Sequence, residues 1–126
     1  MRPVLHLVPL LLLTACANER YVAAEHPDGR PQVEIFVKGK GEDAVKVMEK
    51  VYYANGQLEY VGRFENGVEH GQWEYFYEDG NRKYTETWLH GQEHGIHYDY
   101  APDGQVYREL HYDKGRLVKE VDRTKR

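Results

Sequence analysis

NGQLEYVGRFENGVEHGQWEYFYEDGNRKYTETWLHGQEHGIHYDYAPDGQVYRELHYDKG, residues 55–115, decides the fold, because glycine returns in it at fixed intervals. Gly56, Gly67, Gly80, Gly91, Gly104 and Gly115 are separated by 11, 13, 11, 13 and 11 residues. Gly71 and Gly95 lie 24 apart, so the period is 24 residues with two turns in each. A period of this length marks an array of small units, each of which needs its neighbours to bury a face.

The positions that recur say what the unit is. Asn55-Gly56, Asp79-Gly80 and Asp103-Gly104 form one set, and Asn66-Gly67, His90-Gly91 and Lys114-Gly115 form the other. Glycine reaches positive φ without a Cβ clash, and Asn or Asp before it tolerates the same region, so both sets read as hairpin turns. Tyr52, Phe76 and Tyr100 recur four residues before one glycine, and Phe64, Trp88 and Tyr112 three before the other. The stretches between turns are rich in Tyr, Trp, Phe, Thr and Val, a composition that suits strands. The expected fold is all-β: an antiparallel meander of repeated β-hairpins in one extended twisted sheet. Trp73, Tyr75 and Tyr77 alternate on one strand face, whereas Ile96, Tyr98 and Tyr100 are one step out of phase, so both sheet faces should carry aromatics.

Gly71-x-Trp73-x-x-Phe76-Tyr77-x-Asp79-Gly80, followed by Tyr84, Trp88, Gly91 and Gly95, resembles the MORN-variant repeat, and weaker copies extend the resemblance over residues 45–119. The resemblance implies extended β-hairpin sheets. Many bacterial members are labelled antitoxins or immunity-like proteins, so it also implies a protein-binding role. The third unit departs from the pattern, with His97 in place of the tryptophan and Ala101-Pro102 in place of a tyrosine and a polar residue, which implies a looser last hairpin.

Residues 1–15 read as a signal peptide: Arg2 precedes an apolar run from Val4 to Leu13, too short to span a membrane as a helix of about 20 residues. The run ends in Leu13-Thr14-Ala15-Cys16, which resembles the bacterial lipobox and implies lipid attachment at Cys16, the single cysteine of the chain. Ala17 is not the aspartate that retains such proteins at the inner membrane, so the expected location is the cell envelope, lipid-anchored at the outer membrane and facing the periplasm. Residues 16–32 read as the lipidated N-terminus and a polar tether, with Pro27 and Pro31 disfavouring regular structure. Residues 33–121 are the repeat domain, opened by a degenerate capping element around Gln32–Lys38, and residues 122–126 are a basic tail.

Chemistry is sparse. The full chain carries 17 basic and 21 acidic residues, a formal charge of −4, which offers no general attraction to nucleic acid. His90, His94 and His97, with Glu93, could in principle hold a metal for a hydrolase, but two glycines place them in a hairpin rather than on a helix, and His94 repeats His70 one period earlier. No cofactor and no catalytic residue is expected. Trp73, Tyr75, Tyr77, Tyr84 and Trp88 are the expected partner-binding stripe, with Glu74, Glu78, Asp79 and Glu86 around it favouring a basic protein partner such as a toxin or effector. A structural or lipid-facing envelope scaffold is the alternative role.

Overall fold

A computed structural model describes residues 18–125, so the expected signal peptide, Cys16 and Arg126 lie outside the described residues. Eleven strands follow one another: β1 (Glu19–Glu25), β2 (Pro31–Lys38), β3 (Val45–Tyr52), β4 (Leu58–Glu65), β5 (Val68–Glu69), β6 (Gly71–Phe76), β7 (Arg82–Leu89), β8 (Gln92–Glu93), β9 (Gly95–Tyr100), β10 (Val106–Asp113) and β11 (Arg116–Asp122). They form one sheet in the order β1-β2-β3-β4-β6-β7-β9-β10-β11, antiparallel throughout, with β5 on β4 and β8 on β7. The only helical piece among the described residues is a three-residue 3₁₀ turn at Gly41–Asp43. The meander is therefore the whole of the described architecture, as the glycine intervals require.

The two turn sets are physically different. At the first, Gly56, Gly80 and Gly104 have φ near +85°, while Asn55, Asp79 and Asp103 do not take positive φ. The Asx side chain works instead as an acceptor, taking the backbone N–H two residues on at 2.9 Å in each of the three. At the second set Asn66, His90 and Lys114 take φ near +50° along with the glycine that follows, the conformation of a two-residue hairpin turn. Gly71 and Gly95 belong to neither set. They follow His70 and His94, where an arm of the hairpin is interrupted, and their positive φ lets the strand resume.

The start of the chain corrects the tether reading. Residues 19–25 pair with β2, and the turn between them repeats the bonding of the Asx-glycine turns. His26 N–H donates to Arg30 O at 2.9 Å, Gly29 N–H donates to His26 O, and Arg30 N–H donates to Asp28 Oδ1 at 3.0 Å. Pro27 fits this turn and Pro31 opens β2, so neither breaks the sheet. Gly29 thus heads an earlier unit, 27 residues before Gly56. The three residues beyond the period fall in the β2–β3 connection, which contains the 3₁₀ turn. At the other end Arg123, expected in a free tail, donates its backbone N–H to Tyr107 O at 2.8 Å and its guanidinium to Glu109. The third hairpin is not looser in its bonding: Ala101 N–H to Gln105 O and Gly104 N–H to Ala101 O are both 2.8 Å, as tight as in its neighbours.

No second layer packs on the sheet among the described residues, so burial comes from side chains lying across neighbouring strands. A row on one face runs Glu34, Lys50, Val61, Glu74, Thr85, Tyr98 and Glu109 from β2 to β10 in direct register. Thr85 is the most enclosed of these at 1% exposure, and its hydroxyl has no hydrogen-bond partner. Val61 occupies the same place one period earlier. Thr85→Val keeps the shape and removes an unpaired polar atom, so it is expected to stabilise the sheet by about 1 kcal/mol. Urea unfolding should show a higher midpoint at unchanged slope; a lower midpoint would mean the hydroxyl is satisfied in solution.

Candidate functional site

Strand alternation and antiparallel pairing place the aromatic residues. Directly paired residues share a face, so the pairs Trp73–Glu86, Tyr75–Tyr84, Gly71–Trp88 and Tyr60–Tyr75 put Trp73, Trp88, Tyr75, Tyr84, Tyr60 and Glu86 on one side, the tryptophan face. Tyr60 and Trp73 stack at 6.0 Å between ring centroids, and Tyr75 and Tyr84 stack at 4.1 Å. Phe64 meets Trp73 edge-on at 5.2 Å, and Trp88 lies 6.2 Å from Trp73 at a tilt of 49°. Six rings thus form one connected patch, each half-buried.

The floor of the patch is Gly62. A Cβ there would lie 2.7–2.8 Å from three atoms of the Trp73 six-membered ring, closer than any side-chain carbon can approach. The indole therefore rests on bare backbone, with its Nε1–H donating to Arg63 O at 3.0 Å. Tyr60 and Phe64, outside the expected stripe, belong to the site because β4 is the neighbour of β6. The aromatic spacing held that signal, but the pairing across β4 and β6 was needed to use it.

Four of the five expected contact residues, Trp73, Tyr75, Tyr84 and Trp88, come together. Tyr77 does not. Strand β6 ends at Phe76, because Tyr77 N–H donates to Asn81 O at 2.8 Å within the turn. Its ring is 39% exposed, lies beside Lys83 Nζ at 5.4 Å, and joins none of the stacked pairs among the described residues. The expected acidic surroundings are also redistributed. Glu74 points to the opposite face, where Arg63 and Arg82 bridge it at 3.4 and 3.1 Å. Glu78 and Asp79 sit in the turn. Glu86 alone of the four remains in the patch, where its Oε2 accepts from Trp88 Nε1–H at 3.0 Å and Tyr75 O–H at 3.3 Å.

Burial, reinforced by neighbouring carboxylates, keeps the tyrosines of the sheet protonated. Burial, and after it the charge of Glu86, raises the Tyr75 hydroxyl well above the ordinary phenol range. Tyr60 is raised by burial and by its 2.5 Å bond to Glu49. On the opposite face burial, then the bond to Glu34, pushes Tyr52 up to about 12. Burial raises Glu49 as well, but the bonds from Lys46 and Tyr60 outweigh it and hold the carboxyl below its usual range. All of these favour a neutral phenol beside an anionic carboxylate, an arrangement that positions side chains and offers no activated nucleophile.

The histidines of residues 90–97 go three separate ways. His90 stacks on His70 at 4.9 Å. His94 Nδ1 accepts the backbone N–H of Lys114 at 3.5 Å, as His70 Nδ1 accepts that of His90 at 3.4 Å one period earlier. His97 is buried on the tryptophan face and stacks on Tyr112 at 4.4 Å. The recurrence of His70 and His94 is thus explained by turn bonding.

The MORN repeat variant family model matches residues 48–66, 69–90 and 93–114, together half of the chain, in three consecutive copies. The chain belongs to this family of repeat proteins. No curated protein matches it.

Proposed function

We propose that this MORN-variant repeat protein is a non-catalytic protein-binding module that contacts its partner through the tryptophan face. The observation that carries the reading is the connected patch of Tyr60, Phe64, Trp73, Tyr75, Tyr84 and Trp88, only partly buried on a sheet with no second layer among its described residues. Tyrosine and tryptophan bury large areas at small entropic cost, and they dominate the energetics of protein contacts. A sheet one layer thick also gains stability when a partner covers it. An antitoxin or immunity-like role, with a toxin or effector as the partner, fits such a face.

The proposal includes export and lipid attachment at Cys16. Strand β1 starts at Glu19, three residues later, so an acylated Cys16 would hold the sheet edge within about 10 Å of the bilayer surface. Cys16→Ser is expected to move the protein from the detergent-rich to the aqueous phase on Triton X-114 separation. Equal partitioning of the two forms would remove the anchor from the proposal.

The binding face is tested with the partner recovered by cross-linking in cells, then purified. Tyr75→Ala and Trp88→Ala, each first shown to be folded by circular dichroism, are expected to weaken its binding by about 2 kcal/mol or more. Unchanged affinity in both folded variants would move the contact elsewhere and leave these rings as packing.

A further inference from the structure

Glu49, Glu86 and Asp99 are carboxylates of the tryptophan face in the three units, at different places in the repeat, and comparing their surroundings shows what the middle one lacks. In the first unit Glu49 lies opposite Gly62, and Lys46 reaches its carboxylate at 2.6 Å with Nζ 4.1 Å from the Phe64 ring centroid. In the third, Asp99 lies opposite Arg108 and is bridged by it at 2.5 Å. Both carboxylates are held by a cation of the chain itself, and in the first unit that cation also covers an aromatic ring.

One period after the first unit, Phe64 becomes Trp88, Lys46 becomes His70, and the facing pair Glu49–Gly62 becomes Trp73–Glu86, so the carboxylate moves to the neighbouring strand. His70 turns away to Glu65 at 2.9 Å and to the His90 ring. Among the described residues no Lys or Arg bridges Glu86, and none lies over Trp73 or Trp88. Glu86 has one oxygen engaged by Tyr75 and Trp88 while its Oε1 accepts from no described residue. Glu93, opposite Trp88, adds a second carboxylate to the same face without a cation of its own. Indole offers the strongest cation–π surface of the aromatic side chains, and a carboxylate beside it supplies the charge-assisted hydrogen bond.

We infer that the patch formed by Trp73, Trp88 and Glu86 receives a lysine ammonium or arginine guanidinium of the partner protein. The inference rests on the tryptophan face being the contact. It goes further in assigning to the partner the cation that the first and third units supply from within. Specificity then follows from charge as well as area, because a partner lacking the cation would desolvate Glu86 unpaired.

The probe is a hexa-arginine peptide, with hexaserine and hexaglutamate of equal length as controls. Its binding is followed at the two indole N–H signals by NMR, which the two tryptophans of the chain make a complete set. The arginine peptide is expected to shift the Trp88 indole signal most, to weaken steeply with added salt, and to bind Glu86→Gln at least tenfold less tightly. Glutamine keeps an acceptor for Tyr75 and Trp88, so an unchanged melting temperature is expected and is measured alongside. Equal affinity for wild type and Glu86→Gln, no binding of the arginine peptide, or equal binding of a control peptide would each overturn the inference. If Trp88→Ala abolishes binding of the purified partner while Glu86→Gln leaves it intact, the cation is wrong and the aromatic face stands. If the partner ignores both substitutions, both readings fall.

Discussion

Trp73→Ala is expected to lower the stability of the sheet by about 3 kcal/mol, the low end of the range for losing a large aromatic side chain because this one is not fully buried. The indole is the hub of the patch: Tyr60, Phe64, Tyr75 and Trp88 all contact it, from three strands. Its removal leaves those four rings without a common neighbour and strips the backbone at Gly62. The loss should appear in denaturant unfolding as a lower midpoint with the whole transition shifted, since units in an array are stabilised by their neighbours. A cost below about 1 kcal/mol would mean that the rings are solvated independently and that the patch is no hub.

Gly62→Ala is expected to cost about 2 kcal/mol, an unusual result for a strand glycine. Its φ is not in the left-handed region, and away from Trp73 an alanine would be favoured at a strand position. The penalty comes from the indole, which a Cβ at 2.7 Å forces off its seat. The same substitution in a Trp73→Ala background is therefore expected to become neutral or stabilising by about 0.5 kcal/mol. Additive losses in that double-mutant cycle would show that Gly62 is required for some reason other than the ring above it.

Some of this was written in the order of residues and some was not. The alternation of Trp73 and Tyr75 and the recurrence of Trp88 correctly pointed to one aromatic face. Tyr77 was misplaced because alternation does not show where a strand ends, and its N–H is already bonded within the turn; beyond the turn a bulge adds one residue without advancing the pairing. Such an extra residue follows each Asx-glycine turn, at Gln32, Glu59, Lys83 and Tyr107, the last three at the 24-residue period. Each one resets which side chains point up. Counting along β6 set Glu74 on the face opposite Trp73 and Tyr75, but the arginines that hold it there, Arg63 and Arg82, come from the neighbouring strands β4 and β7.

The turns show the complementary limit. Asp28-Gly29 carries the same Asx-glycine chemistry as the later turns, but an interval of 27 hid it, so residues 19–25 read as tether. Once those residues pair with β2 the three-residue excess has somewhere to go, and the sheet begins at Glu19.

By itself the sequence determined the class, the period and the meander. These depend on positive φ at glycine, on Asx side chains reaching two residues ahead, and on strand composition, all of which act between near neighbours in the chain. Tertiary structure alone decided which rings meet, where the sheet starts, and which carboxylate lacks a cation. Those outcomes depend on partners brought together across strands, through bulges and insertions whose effect on register is settled only when the neighbouring strand is in place.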